Sequence, residues 1–218
     1  KKALSGAETT LKSTNGTVHA LACTTSGKHY GELTKAQQQE NALYIYNYLA
    51  KQGWSKNAIC ALLGNIQQES QMNPGAWQNW HETGEGDGYG LVQWTPAEEK
   101  FLKWMGFTGA DKADLADQMA INDTKNFIDK QLEFLLLNMN LIDGEPGYGG
   151  EWIPTDTRYY SPYKMTASDF IKSNNDISEL TRVFHASFER SGDEWDDIQK
   201  RCGYAKYWYN YLTELGIQ

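Results

Sequence analysis

The segment 58–70 reads Ala-Ile-Cys-Ala-Leu-Leu-Gly-Asn-Ile-Gln-Gln-Glu-Ser, and Asn73-Pro74 bounds it on the C-terminal side. Its apolar residues recur at helical spacing, which predicts a helix with one buried face. Glu69 lies three residues after Ile66 and shares that face, near the negative end of the helix dipole. Poor solvation and the dipole both favour a protonated carboxyl. Glu69 is therefore a candidate general acid, although an ion-paired glutamate at a helix end also fits its position.

A glycine-rich acidic loop follows this helix. The range His81–Gly90 holds four glycines and three acids, which are Asp87, Glu85 and Glu82. The segment 91–94, Leu-Val-Gln-Trp, then predicts a short strand, so we expect a small β-hairpin beside the helix end. The hairpin would place one loop acid across a cleft from Glu69. We rank Asp87 first, Glu85 second and Glu82 third, because Asp87 is closest to the strand.

Two carboxyls across a cleft suit glycoside hydrolysis. A retaining pair lies about 5–5.5 Å apart and an inverting pair about 6.5–9.5 Å apart. The sequence does not fix this distance, so both stereochemical outcomes stay open. A solvated acidic turn or a weak cation site is the alternative interpretation of the loop.

Three motifs in this order resemble the phage tail lysozyme family. They are Gly64-Asn65-Ile66-Gln67-Gln68-Glu69-Ser70, Met72-Asn73-Pro74 and Gly88-Tyr89-Gly90-Leu91-Val92-Gln93-Trp94. The chain is more distantly similar to goose-type lysozymes and soluble lytic transglycosylases, and the resemblance covers about Leu33 to Leu215. It implies that Glu69 is the catalytic acid and that Gln93 lines the glycan groove. It does not identify the second acid, since the loop offers three.

The expected fold class is mainly α, an α+β lysozyme-like helical domain with the small β-hairpin lining the active-site cleft. We expect two parts: residues 1–32 as an N-terminal arm or linker, and residues 33–218 as the catalytic domain. Thr34, Ser55 and Thr166 are predicted to cap helices. Pro96 is predicted to be the first residue of a third helix. A long apolar helix is expected from Ala113 to Met139, with a possible break at residues 122–124.

Aromatic residues are abundant, with 8 Trp and 13 Tyr. Sugar rings stack on aromatic faces, but aromatic side chains also fill cores, and both interpretations apply to each residue. The candidates for substrate contact are Tyr89, Trp94, Trp77, Trp80 and Tyr204. A segment at residues 188–190, Phe-Glu-Arg, also has a counterpart in the family. We interpret it as mainly structural, with a buried ion pair favoured over a place on the groove floor.

Composition excludes several classes of function. The net charge is −8 with no basic patch, which argues against nucleic-acid binding. No apolar run approaches the roughly 20 residues of a membrane span. No His lies beside a Cys as a nucleophile–base pair requires, and His81-Glu82 lacks the second His of a zinc helix. We expect neither a metal nor a cofactor. A Cys60–Cys202 disulfide stays open.

The sequence therefore predicts a peptidoglycan hydrolase, a lysozyme or N-acetylmuramidase that cleaves the β-1,4 bond between N-acetylmuramic acid and N-acetylglucosamine. Its expected partner is the bacterial cell wall, together with other phage tail or secretion-machine proteins. We expect a cell-wall-degrading module that acts outside the cell or on the virion. The chain begins at Lys1, so we expect a piece of a longer protein or a processed product. Lytic transglycosylase and a non-catalytic glycan-binding or tail-structural module are the alternatives.

Overall fold

The computed structural model describes residues 16–22, 32–78, 87–156 and 158–218. These ranges are mainly helical, as predicted, and form one hydrophobic core. Two short irregular helices, the 3-10 turn Arg158–Tyr160 and the π turn His185–Glu189, complete the set. The α-helices are α1 (Lys35–Lys51), α2 (Lys56–Ser70), α3 (Phe101–Trp104), α4 (Lys112–Asn122), α5 (Thr124–Asn138), α6 (Ala167–Lys172), α7 (Ile177–Phe184) and α8 (Trp195–Glu214).

Helix α2 lies at the centre and packs against α1, α6, α7 and α8. Every residue from 58 to 66 is buried, so this part of the helix is enclosed on all sides rather than along one stripe. Its last turn, with Glu69, lines an open cleft. The central helix thus carries the candidate acid from the core to the edge of a cleft.

The predicted helix boundaries are confirmed at several places. Thr34, Ser55 and Thr166 each accept a hydrogen bond from the first turn of the following helix. The long helix predicted from Ala113 to Met139 is split into α4 and α5 at Asp123. The prediction for Pro96 is wrong, because residues 97–100 form turns and α3 begins at Phe101.

The predicted β-hairpin is not found in the part of the chain that is described. Isolated bridges join Tyr89 to Trp77 and to Trp94, and residues 90–93 form a turn instead of a strand. Gly90 and Gln93 have φ of 84° and 51°, which a β-strand excludes. The buried Gln131 side chain accepts the Leu91 N–H at 2.8 Å and donates to the Pro74 carbonyl at 2.7 Å. A side chain therefore supplies the pairing that a neighbouring strand would have given.

Residues 16–22 of the expected arm lie against the helical domain. The Asn41 side chain bonds the backbone N–H and C=O of His19, and the Asn73 side chain bonds those of Leu21. Cys60 and Cys202 are both buried and free, so they are not bridged in this structure. Among the described residues, none of the helices is both long enough and apolar enough to cross a bilayer.

Helices α2 and α8 cross at very close range. A Cβ on Gly64 would lie 2.6 Å from the Arg201 carbonyl oxygen and 2.7 Å from the Ala205 Cβ. These atoms belong to the backbone and first side-chain carbon of α8, so they cannot move without moving the helix. Glycine at position 64 is required by this close approach.

We expect Gly64→Ala to destabilise the protein by about 1–3 kcal/mol through overpacking. Gly203→Ala is the matched control, because Gly203 is exposed on α8 and a Cβ there would meet nothing within 4 Å. It should be neutral or stabilising by up to about 1 kcal/mol, since alanine favours helix. Urea denaturation of both variants measures these changes. Equal stability of the two variants would contradict the close crossing.

A buried carboxyl on α4 stands behind the cleft wall. Asp117 accepts a hydrogen bond from the Trp77 indole N–H at 2.9 Å. Burial raises the pKa of Asp117 to about 7, and the hydrogen bond from Trp77 only partly opposes this effect. The protonated form is therefore favoured in the folded protein relative to the unfolded chain.

The raised pKa of Asp117 makes the folded protein lose stability as the pH rises. The contribution is fully present below about pH 4 and is lost as the pH increases through about 7. Asp117→Asn keeps an acceptor for Trp77 but does not titrate. The difference in unfolding free energy between wild type and this variant should change by roughly 2–4 kcal/mol across that window. Urea denaturation at several pH values measures it, and parallel pH profiles would contradict the prediction.

Candidate active site

A cleft of about 450 Å³ opens where the end of α2 meets the turn at residues 90–93 and the segment that follows α7. Glu69 contributes from α2, and Gln93 and Trp94 line the wall formed by the turn. The opposite wall comes from residues 188–191, with Glu151 and Lys100 at the rim. The cleft therefore combines several carboxyls with two indole rings, those of Trp77 and Trp94.

Glu69 occupies the position that the sequence predicted for the acid. Its side chain is 17% exposed, and its Oε1 accepts a hydrogen bond from the Arg201 guanidinium at 2.5 Å. Burial raises the pKa of Glu69 above its usual range, and the Arg201 charge opposes this. Asp193 adds a further negative charge that favours the protonated carboxyl. The balance gives a carboxyl that holds its proton more tightly than an exposed glutamate.

The Arg201 side chain holds the Glu69 carboxyl in place. It is 2% exposed on α8 and donates to the Asp193 carboxylate at 2.6 Å and to the Asn65 side chain at 3.2 Å. Burial of Asp193 is outweighed by its contacts with Arg201, so the pKa of Asp193 is lowered. One guanidinium thus contacts two carboxyls, those of Glu69 and Asp193.

His185 lies beside this network as a neutral group. Its Nε2 is 2.8 Å from the Ser191 Oγ, and burial lowers the pKa of His185 to about 4, with the Arg201 charge acting in the same direction. His185 therefore adds no positive charge to the site at neutral pH. The negative charges around Glu69 are balanced by Arg201 on this side of the cleft.

The end of α2 is tied to the turn at residues 90–93 by Ser70, the neighbour of Glu69 in sequence. Ser70 donates from its Oγ to the Leu91 carbonyl at 2.9 Å, which joins the helix end to the turn. The Gln93 amide donates to the carbonyls of Ala76 and Gly90, both at 2.9 Å. Gln93 lines the cleft, and its side-chain nitrogen also holds the turn in shape.

Of the other predicted site residues that the structure describes, some line the cleft and others do not. Trp77 and Trp94 line the cleft but are only 2% and 5% exposed, and Tyr89 is fully buried, so burial argues against sugar stacking on any of the three rings. Tyr204 is 37% exposed on α8 and is not part of the cleft lining.

Of the three predicted loop acids, the structure describes only Asp87. Asp87 does not belong to the lining of the cleft. Glu82, Glu85 and Trp80 lie outside the described residues. Their roles, like that of Asp87, stay predictions. No group of His, Cys, Asp or Glu in the described ranges could hold a metal ion.

Sequence reasoning missed Arg201 and Asp193, and it misread the segment 188–190. Arg201 is 132 positions from Glu69, and no local pattern marks it. The expected ion pair involving Glu189 is not formed. Arg190 pairs instead with Glu151 at 3.0 Å, and both Glu189 and Arg190 line the cleft. The family-like Phe-Glu-Arg motif was the available signal for a place on the groove floor.

Comparisons with known proteins identify the family of this chain. The family model described as phage tail lysozyme matches residues 40–212. Morphogenesis protein 1 of Bacillus phage B103 is 37% identical over 184 residues, which cover 84% of this chain. The chain spans 42% of the length of that relative. The family match extends from within α1 to within α8 and includes every described residue of the cleft. On this evidence the chain belongs to the phage tail lysozyme family.

Proposed function

We propose that this protein cleaves the β-1,4 bond between N-acetylmuramic acid and N-acetylglucosamine in peptidoglycan, with Glu69 as the general acid. The observation that carries the proposal is the buried Glu69 carboxyl at the edge of a cleft with indole side chains. A carboxyl that holds its proton more tightly than an exposed glutamate can protonate the glycosidic oxygen as the bond breaks. Membership of the phage tail lysozyme family supports the cell wall as the substrate.

The residues around Glu69 supply the remaining steps. Gln93 offers its side-chain oxygen to the glycan, while Trp77 and Trp94, which are 2% and 5% exposed, support the cleft wall from within the core. A carboxylate from the acidic loop would activate water or stabilise the developing positive charge on the sugar, with Asp87, Glu85 and Glu82 as the candidates in that order. The mechanism needs no cofactor.

A lytic transglycosylase is the second candidate. The absence of Asp87 from the described cleft lining favours it, because a transglycosylase uses one carboxyl as acid and then as base. The 6-hydroxyl of the muramic residue would replace water and close an anhydro ring. Both candidates use Glu69 in the same first step, and they differ in the nucleophile that follows and therefore in the product.

We also propose that the domain works outside the bacterial cytoplasm, on a virion or a secretion machine. The similarity to a phage morphogenesis protein supports this setting. The negative net charge does not favour long-range attraction to an anionic cell wall. Attachment to a larger particle would supply the local concentration that electrostatics does not.

Glu69→Gln should reduce the cleavage of purified peptidoglycan by at least about a hundredfold, because the amide cannot donate the proton. Glu133→Gln is the matched control, since Glu133 lies on the surface of α5 in a pair with Lys130. Mass spectrometry of the reduced products distinguishes muramic reducing ends from anhydro-muramic ends. Unchanged activity of Glu69→Gln would refute the assignment of the acid. No digestion by wild type would support a binding module.

The pH dependence should follow the protonation of Glu69. Because burial raises the pKa of Glu69 above its usual range, the acid keeps its proton to a higher pH than an exposed glutamate and loses it as the pH increases further. We expect kcat/KM to fall on the alkaline side through that raised pKa. Initial rates on a soluble peptidoglycan fragment across a pH series measure this limb. A limb in the range of an exposed glutamate would contradict the argument.

A further inference from the structure

The π-helical turn at residues 185–189 brings a second buried carboxyl into the cleft. Glu189 is the last residue of that turn, and Arg190 ends it in the left-handed conformation with φ of 52°. Glu189 lines the same cleft as Glu69, although the two residues are 120 positions apart in the sequence. Single π turns occur frequently at functional sites, because they re-aim one side chain. The placement of Glu189 therefore merits a chemical explanation.

Glu189 lacks the cation that a buried carboxylate requires. Its Oε1 is enclosed and has no hydrogen-bond partner. The Arg190 guanidinium is turned away to the Glu151 carboxylate and to the carbonyl oxygens of Glu151 and Ser187. The Arg201 guanidinium is occupied by Glu69 and Asp193. Within the described ranges, no ion pair involves Glu189.

The local charges favour a protonated Glu189. Burial, followed by the negative charge of Glu69, raises the pKa of Glu189 well above its usual range. Asp193 acts in the same direction, while Arg201 and Arg190 oppose it. An unpaired carboxylate that is removed from water costs more free energy than keeping the proton. A neutral carboxyl can donate an O–H, and it belongs here to a residue that lines the cleft.

We propose that Glu189 binds the glycan as a neutral carboxyl, donating a hydrogen bond to an acceptor oxygen of the sugar beside Glu69. The acceptor is an N-acetyl carbonyl or a hydroxyl oxygen. This inference rests on the proposed function of the same cleft. The two buried carboxyls of the cleft then have different roles. Glu69 gives its proton to the leaving oxygen, and Glu189 keeps its proton throughout the reaction.

Two substitutions at position 189 separate the role of Glu189 as a hydrogen-bond donor from its ability to lose a proton. Glu189→Gln keeps a neutral donor, so kcat/KM should stay within about threefold of wild type. Glu189→Met has similar length but no donor, and one lost hydrogen bond should lower kcat/KM about tenfold, mainly through KM. Both variants should keep the thermal midpoint of wild type, because neither removes a partner from another residue. A collapse of Glu189→Gln to the level of Glu69→Gln would overturn the proposal.

The pH profile adds a measurement that a purely structural role would not affect. If Glu189 is neutral while Glu69 titrates, Glu189→Gln leaves the alkaline limb of kcat/KM in place. If Glu189 were ionised, its removal would take a negative charge away from Glu69 and lower the pKa of Glu69. The limb would then move to lower pH, and the proposal would fail.

Two measurements without turnover separate this inference from the proposed function. In the free protein, ¹³C NMR of labelled glutamate carboxyls should show Glu189 protonated at neutral pH, with its signal assigned by loss in Glu189→Gln. In an inactive Glu69→Gln background, adding Glu189→Met should weaken binding of an N-acetylglucosamine tetrasaccharide about tenfold. An ionised Glu189, or equal or absent binding, overturns the inference. Failure of wild type to cleave peptidoglycan overturns only the proposed function.

Discussion

The contact between α2 and α8 is the constraint on which the cleft depends. The backbone of Arg201 packs directly against Gly64, and the side chain of the same residue bonds Glu69 one and a half turns further along α2. Helix packing and the electrostatics of the acid therefore share one residue. Because the interior is close-packed, a shift of α8 would change the distance from the guanidinium to the carboxyl. The burial of α2 against α8 therefore fixes both the packing of the two helices and the contact between Arg201 and Glu69.

The sequence was sufficient for the features that depend on local order. The capping residues Thr34, Ser55 and Thr166 follow from the hydrogen-bonding chemistry of helix starts, and all three cap helices in the structure. Glu69 was found because it continues an apolar helix beyond its buried part. The family was found because three short motifs occur in order at the expected spacing, and the comparison with known families confirms it.

The features that the sequence did not reveal depend on contacts between distant segments. Residues 91–94 look like a strand because Leu91 and Val92 are apolar, but Gln131 on α5 takes the place of a pairing strand and allows a turn. Arg201 looks like any arginine on an amphipathic helix until α8 is placed against α2. The π turn that exposes Glu189 to the cleft has no recognised pattern in the sequence, so an ion pair with its neighbour was the natural interpretation.

The anchoring of residues 78 and 88 has a consequence for how this cleft varies among related enzymes. The Gln78 N–H donates to the Gly88 carbonyl at 2.9 Å, and the Gly88 N–H donates to the Gln78 side chain at 3.0 Å. The intervening segment therefore leaves and rejoins the domain at one point, and Gln131 holds the turn independently of it. Insertions or exchanges there need not disturb the helix that carries Glu69. The acidic loop is therefore a place where evolution or engineering could change the cleft while Glu69 stays in position.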